Sequence, residues 1–150
     1  NLLTKLKLSA KLPKNIIITP HPGEASRLLG KSIDEIESNR FEAVSLLQRK
    51  FNCVVVLKGS GSLVCYSKGG KQQIGICEAG NPGMASGGMG DILTGIIAGF
   101  LAQGLSLIEA TELGVDIHAK AADLKSLETG EAGLLASDVL EELRQLLKYE

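Results

Sequence analysis

The chain has 150 residues, 44% hydrophobic and 22% charged, with a formal charge of −1, as expected of a single soluble globular domain. No basic cluster accompanies that near-neutral charge, which argues against a nucleic-acid partner. The longest apolar window, Ile92 to Leu101, is too short to cross a bilayer and follows Asp91, so no membrane segment is expected.

Residues 1–8 read as the tail of a helix, with no initiating Met and no signal peptide. Asn15–Thr19 is a β-branched run stopped by Pro20, and predicts a buried strand. The stiff loop Thr19-Pro20-His21-Pro22-Gly23-Glu24 leads into a short helix, Ala25 to Leu29, closed by Gly30. Ser32-x-x-Glu35 has the form of a capping box, and the apolar spacing behind it predicts one helix over about residues 33–50. Cys53–Lys58 is the clearest strand, ended by Gly59-Ser60-Gly61. Leu63–Ser67 and Gln72–Cys77 should form a hairpin across Lys68-Gly69-Gly70-Lys71.

After the hairpin comes Asn81-Pro82-Gly83-Met84-Ala85-Ser86-Gly87-Gly88-Met89-Gly90-Asp91, four of whose eleven residues are glycine. It runs into a helix apolar on nearly every side, expected to be buried and to end near Gln103 before Gly104. Ser106-x-x-Glu109 opens another helix, to about Leu127, in which His118 reads as structural. Ser137 should cap a last helix whose stripe is Val139, Leu140, Leu143 and Leu147. The core must be aliphatic, since the aromatics are few and Trp is absent. Cys53, Cys65 and Cys77 are odd in number, lack C-x-x-C spacing and lie in apolar runs, which suits buried reduced thiols and a cytoplasmic setting.

Alternating strands and helices predict an α/β fold with a largely parallel sheet. Only two parallel strands and one hairpin are visible, however, so the chain reads as half of an α/β domain, incompetent alone and prone to self-association. Three loops follow strand ends, His21-x-x-Glu24, Lys58-Gly59-Ser60-Gly61 and Gly87–Asp91, and the first two are expected to meet the third at the ligand crevice. A glycine turn feeding a helix offers backbone N–H groups and a positive dipole end, an anion hole built from Gly87, Gly88, Met89 and Gly90. With an imidazole, two carboxylates and a lysine nearby, the assortment suits phosphoryl chemistry with a divalent metal. An ordinary glycine loop capped by Asp91 is the plainer alternative.

The segments Asn81–Asp91 and Thr19–Glu24 closely resemble the two signatures of the NAD(P)H-hydrate dehydratases, a ribokinase-like family of metabolite-repair enzymes. Val55–Ser62 and His118–Asp123 resemble that family's later segments in the same order. The resemblance implies a ribokinase-like α/β/α domain of which this chain is the C-terminal half. It also implies repair of hydrated NADH and NADPH (NADHX and NADPHX) at the expense of ADP or ATP. By motif, Asp91 would be the catalytic base, and His21 and Asp91 would contact the substrate. Lys58, Gly59, Ser60, Gly61, Ser62 and Gly90 would hold the adenine nucleotide, and Glu24 would help organise Mg²⁺ through water. A homo-oligomer is the expected assembly. Two rival readings are a vitamin or sugar kinase of the same superfamily and a non-catalytic nucleotide-binding fragment.

Overall fold

The computed structural model describes residues 15–148, so the expected helical tail at residues 1–8 lies outside them. The chain divides after Ile76 into two compact units.

The first unit carries a mixed four-stranded sheet of β1 (Ile17–Ile18), β2 (Val54–Leu57), β3 (Ser62–Lys68) and β4 (Lys71–Cys77), in that spatial order. β1 and β2 run parallel, with Ile17 opposite Val54. β2 and β3 run antiparallel, with Val56 opposite Val64. All four residues of β2 are buried, as a continuous apolar strand requires. The expected hairpin forms across Gly69 and Gly70, both at positive φ (60° and 76°), the pairing that a two-residue type I′ turn demands.

Three helices accompany the sheet: α1 (Pro22–Leu29), α2 (Ile33–Ser38) and α3 (Arg40–Phe51). Ile36, Val44 and Leu47 are fully buried, and pack with Val55, Leu57 and Leu63 into one aliphatic core. The single helix expected over residues 33–50 is in fact two. Asn39 leaves the helical region (φ −145°, ψ 73°), and its side chain accepts a hydrogen bond from the Glu42 N–H at 3.1 Å. An Asn cap satisfies a donor that a continuing helix would have bonded internally, which is why the chain restarts there.

The second unit comprises a 3₁₀ turn (Pro82–Ala85), α4 (Met89–Ala102), α5 (Leu107–Thr129) and α6 (Ala136–Leu146). Ser106 caps α5 through the capping box its sequence announces. Burial of α4 is one-sided rather than complete. Met89, Leu93, Ile96, Ile97 and Phe100 face inward, while Thr94, Gly95, Ala98 and Gly99 are exposed. Ser137 does not cap α6. It lies inside the helix, and Asp138 instead accepts from the Leu135 N–H at 2.8 Å. Of the anticipated α6 stripe Val139 is fully buried, Leu143 is half-buried, and Leu140 and Leu147 are exposed.

The three cysteines are free thiols, with Cys53 and Cys65 buried and Cys77 half-buried. Desolvation, with Cys65 adding to it, pushes the Cys53 thiol from an ordinary 9.0 up to about 12. Desolvation takes Cys65 to about 11 against a small opposing pull from Arg49. The folded chain therefore holds these protons to higher pH than the unfolded chain. Their contribution to stability is complete below about pH 9 and is lost as pH rises toward 12. Native-state alkylation of Cys53 and Cys65 at pH 8 is expected to be more than about tenfold slower than in denaturant. Rapid labelling of both in the folded protein would contradict the burial described.

Candidate active site

In the first unit, the Thr19–Glu24 loop and the Lys58 loop meet. The Lys58 N–H donates to the Pro20 carbonyl at 2.9 Å, which ties the end of β2 to the turn before α1. That helix starts at Pro22, three residues earlier than the spacing suggested, because His21 is its cap. Nδ1 of His21 accepts from the Glu24 N–H at 3.3 Å, and the His21 N–H donates to Glu24 Oε2 at 2.8 Å. Pro22 at the first helical position loses nothing by lacking an N–H there. Glu24 Oε2 also stands 3.7 Å from His21 Nε2 and 3.9 Å from Lys58 Nζ. Glu24 is thus both a first-turn helix residue and the carboxylate beside the sequence-predicted imidazole and ammonium. The His21 side chain is half-exposed, so its imidazole is open to a ligand while its Nδ1 is engaged by the backbone.

Past Lys58 the loop turns through Gly59 (φ 148°) and Gly61 (φ 66°), and the Ser62 hydroxyl donates to the Gly59 carbonyl at 3.4 Å. A second fastening comes from Arg40 at the start of α3. Its Nη1 donates to the Ser60 carbonyl and its Nη2 to the Leu57 carbonyl at 3.3 Å.

In the second unit, the glycine-rich segment is also fastened from a distance. Asp123 on α5 accepts from the Gly80 N–H and from Asn81 Nδ2, both at 2.8 Å. Asn81 Oδ1 in turn accepts from the Gly83 N–H at 3.0 Å, capping the 3₁₀ turn. The turn ends at Ser86, and α4 opens from Gly88 at φ 91°, a conformation that a side chain would strain. Gly88 supplies no side-chain cap. Asp91 is therefore not the helix cap that the plainer reading required. It is exposed in the first turn, and its N–H donates to the Gly88 carbonyl at 3.0 Å. The first N–H groups of a helix have no partner within it, and here they are those of Gly88, Met89 and Gly90. The N-terminus of α4 thus carries the positive end of the helix dipole, with the Asp91 carboxylate in its first turn.

A family model for NAD(P)H-hydrate dehydratase matches residues 1–145. The chain belongs to that family. A bifunctional NAD(P)H-hydrate repair enzyme of Vibrio cholerae is 56% identical over 131 residues, covering 87% of this chain and 26% of the relative. An ADP-dependent (S)-NAD(P)H-hydrate dehydratase of Neisseria meningitidis is 42% identical over 134 residues, covering 89% of this chain and 44% of its own length. The fold resembles the ADP/ATP-dependent NAD(P)H-hydrate dehydratase of Bacillus subtilis crystallised with ATP/Mg²⁺. The two share a TM-score of 0.84 and 30% identity over 91% of this chain and 50% of that one. A ribokinase-like superfamily protein of Enterococcus faecalis gives a TM-score of 0.80 and 30% identity over 97% of this chain and 48% of that one. This dehydratase-family chain spans between about a quarter and a half of the relatives it matches. Among its described residues no helix is long and apolar enough to cross a membrane.

Two residues that hold these dehydratase loops were not anticipated. Arg40 reads in sequence as one more charge on a helix, and its contact lies 20 residues away. Asp123 falls within a recognised segment, yet its loop contacts are 42 and 43 residues distant and leave no local signature.

Proposed function

We propose that the protein to which this chain belongs restores NADH and NADPH from their C6-hydrated forms, consuming ADP or ATP. The chain, a portion of one ribokinase-like dehydratase domain, supplies the adenine-nucleotide loop and the catalytic carboxylate. The observation that carries this reading is the Gly88-opened helix with Asp91 in its first turn, in the segment bearing the family's signature. The Lys58–Ser62 loop and Gly90 hold the nucleotide, and the N–H groups of Gly87 to Gly90 receive the transferring phosphoryl group. Asp91 accepts the proton of the substrate hydroxyl as its oxygen bonds to phosphorus and the bond to the departing nucleotide breaks. The C6–O bond then breaks to release phosphate, the neighbouring ring carbon gives up a proton to solvent, and the ring regains its double bond. Buried reduced thiols suit a cytoplasmic setting, and a homo-oligomer is the assembly we expect.

Among the described residues no group of three or more His, Cys, Asp and Glu side chains stands ready to ligate a metal directly. Magnesium is commonly held by one or two carboxylates together with substrate phosphates and several waters. A lone Glu24 carboxylate, already accepting from the His21 N–H, fits that outer, water-bridged role. When bound, Mg²⁺ neutralises charge on the nucleotide's phosphates. Lys58, 3.9 Å from Glu24, adds a fixed cation on the protein side.

The direct test incubates the full-length protein with hydrated NADH, Mg²⁺ and either ADP or ATP, and follows the return of dihydronicotinamide absorbance. No return with either nucleotide would overturn the reading. His21 offers a finer test. His21→Ala should raise the KM for the hydrate by about tenfold, the worth of a hydrogen bond to a polar ligand, and leave ADP affinity nearly unchanged. His21→Asn keeps a capping side chain for α1 but not the imidazole, so it should share the KM defect without the loss of the cap. Equal loss of hydrate and nucleotide affinity in both variants would make His21 a scaffold residue.

A further inference from the structure

We propose that Arg40 is a positioning residue for the adenine-nucleotide loop, acting through the backbone carbonyls of Leu57 and Ser60. The inference rests on the assignment of Lys58–Ser62 as that loop. Arg40 is the first residue of α3, where the helix dipole disfavours a cation and ordinarily selects Asp or Glu. Its Nε is also buried without a hydrogen bond among the described residues, a further local cost. A residue placed against its local preferences is explained by what it does elsewhere. Here the guanidinium forks between the last carbonyl of β2 and the carbonyl of Ser60 in the loop.

The loop is shaped around that fork. A Cβ added at Gly59 would stand 2.8 Å from Arg40 Nη2 and 3.1 Å from Cζ, so the guanidinium fills the space a side chain there would need. A trans peptide points its N–H opposite to its C=O. Turning the Leu57 carbonyl to Arg40 therefore turns the Lys58 N–H the other way, and that group indeed donates to Pro20. By the same geometry, turning the Ser60 carbonyl to Arg40 directs the Gly61 N–H away from the cation. Arg40 thus fixes which backbone donors the loop presents to an incoming phosphate, without touching the phosphate itself.

The experiment measures ADP and ATP affinity by titration calorimetry on the full-length protein, for wild type, Arg40→Ala and Arg40→Lys, with the KM for hydrated NADH beside it. Both variants should weaken nucleotide binding by about tenfold or more, because a lysine is a single point charge that cannot bridge two carbonyls. The KM for the hydrate should stay within about twofold. Arg40→Lys binding nucleotide within about twofold of wild type would overturn the proposal, since charge alone would then suffice. Equal losses in hydrate and nucleotide, with a lowered melting temperature in Arg40→Lys, would overturn it as well, by making Arg40 a general structural residue. If Arg40→Ala does not fold, Arg40→Lys, which keeps the charge and stem, decides the matter. Wild-type protein that binds no adenine nucleotide would overturn the loop assignment and the proposal with it. Nucleotide binding without dehydration would instead fail the proposed function alone, leaving the titration to judge Arg40.

Discussion

Asp91→Asn in the full-length protein is expected to lower kcat by a factor of about 10² to 10⁴, the usual worth of a positioned general base. Nucleotide affinity should change by less than about tenfold. Asn keeps the shape and most hydrogen-bonding capacity of Asp, so the substitution isolates the ability to take a proton. Two bland roles for Asp91 make a different prediction. As a helix cap it would tolerate Asn, but the cap position is occupied by Gly88 and lacks a side-chain hydrogen bond. As a first-turn carboxylate complementing the α4 dipole it contributes about 0.3–1 kcal/mol to stability, which alters melting and leaves turnover alone. Steady-state rates with hydrated NADH, paired with thermal melts, separate these roles. A kcat within a few-fold of wild type would sink the catalytic assignment.

Legibility in the sequence followed how local each cause was. β2 was visible because four consecutive buried residues leave an uninterrupted apolar run, and the β3–β4 turn was visible because Gly69-Gly70 admits few conformations. Capping by Ser32 and Ser106 was equally plain, since the partner glutamates lie three residues on. The start of α1 was not, because an imidazole performs the capping that Ser, Thr, Asp or Asn usually performs. Asn39 reads as helix interior although Asn39-x-x-Glu42 is itself a capping pattern, because the apolar spacing continues across the break. The glycine segment running into an apolar stretch marked the start of α4, and Gly88 at φ 91° opens that helix. What holds it, Asp123, depends on the packing of α5, which no short window encodes.

Gly83 and Gly87 lie four residues apart in the signature segment, and replacing them with Ala should give opposite phenotypes. At Gly83 a Cβ would meet the Glu131 backbone carbonyl oxygen within hard-sphere contact and would stand 2.9 Å from Asn81 Oδ1. Neither neighbour yields easily. The Glu131 carbonyl is backbone, and Asn81 is held by Asp123 on one side and by the Gly83 N–H on the other. Forcing a methyl group into such a site typically costs about 1–3 kcal/mol, several degrees of Tm for a domain of this size. Displacing the 3₁₀ turn should also pull Gly87 and Gly88 from their places, so activity falls along with stability. At Gly87 a Cβ meets nothing within 4 Å, and its φ is one that any residue adopts. Gly87→Ala should therefore melt within about 0.5 kcal/mol of wild type, as substitutions away from packed sites do. On the proposed function its methyl group would nonetheless crowd the approach of a phosphoryl oxygen to the backbone N–H groups of this segment. We expect kcat to fall by about 10²-fold or more, the cost of denying the phosphoryl group one preorganised donor in such a hole. Full turnover in a stable Gly87→Ala protein would show that the phosphoryl group does not pass over this segment.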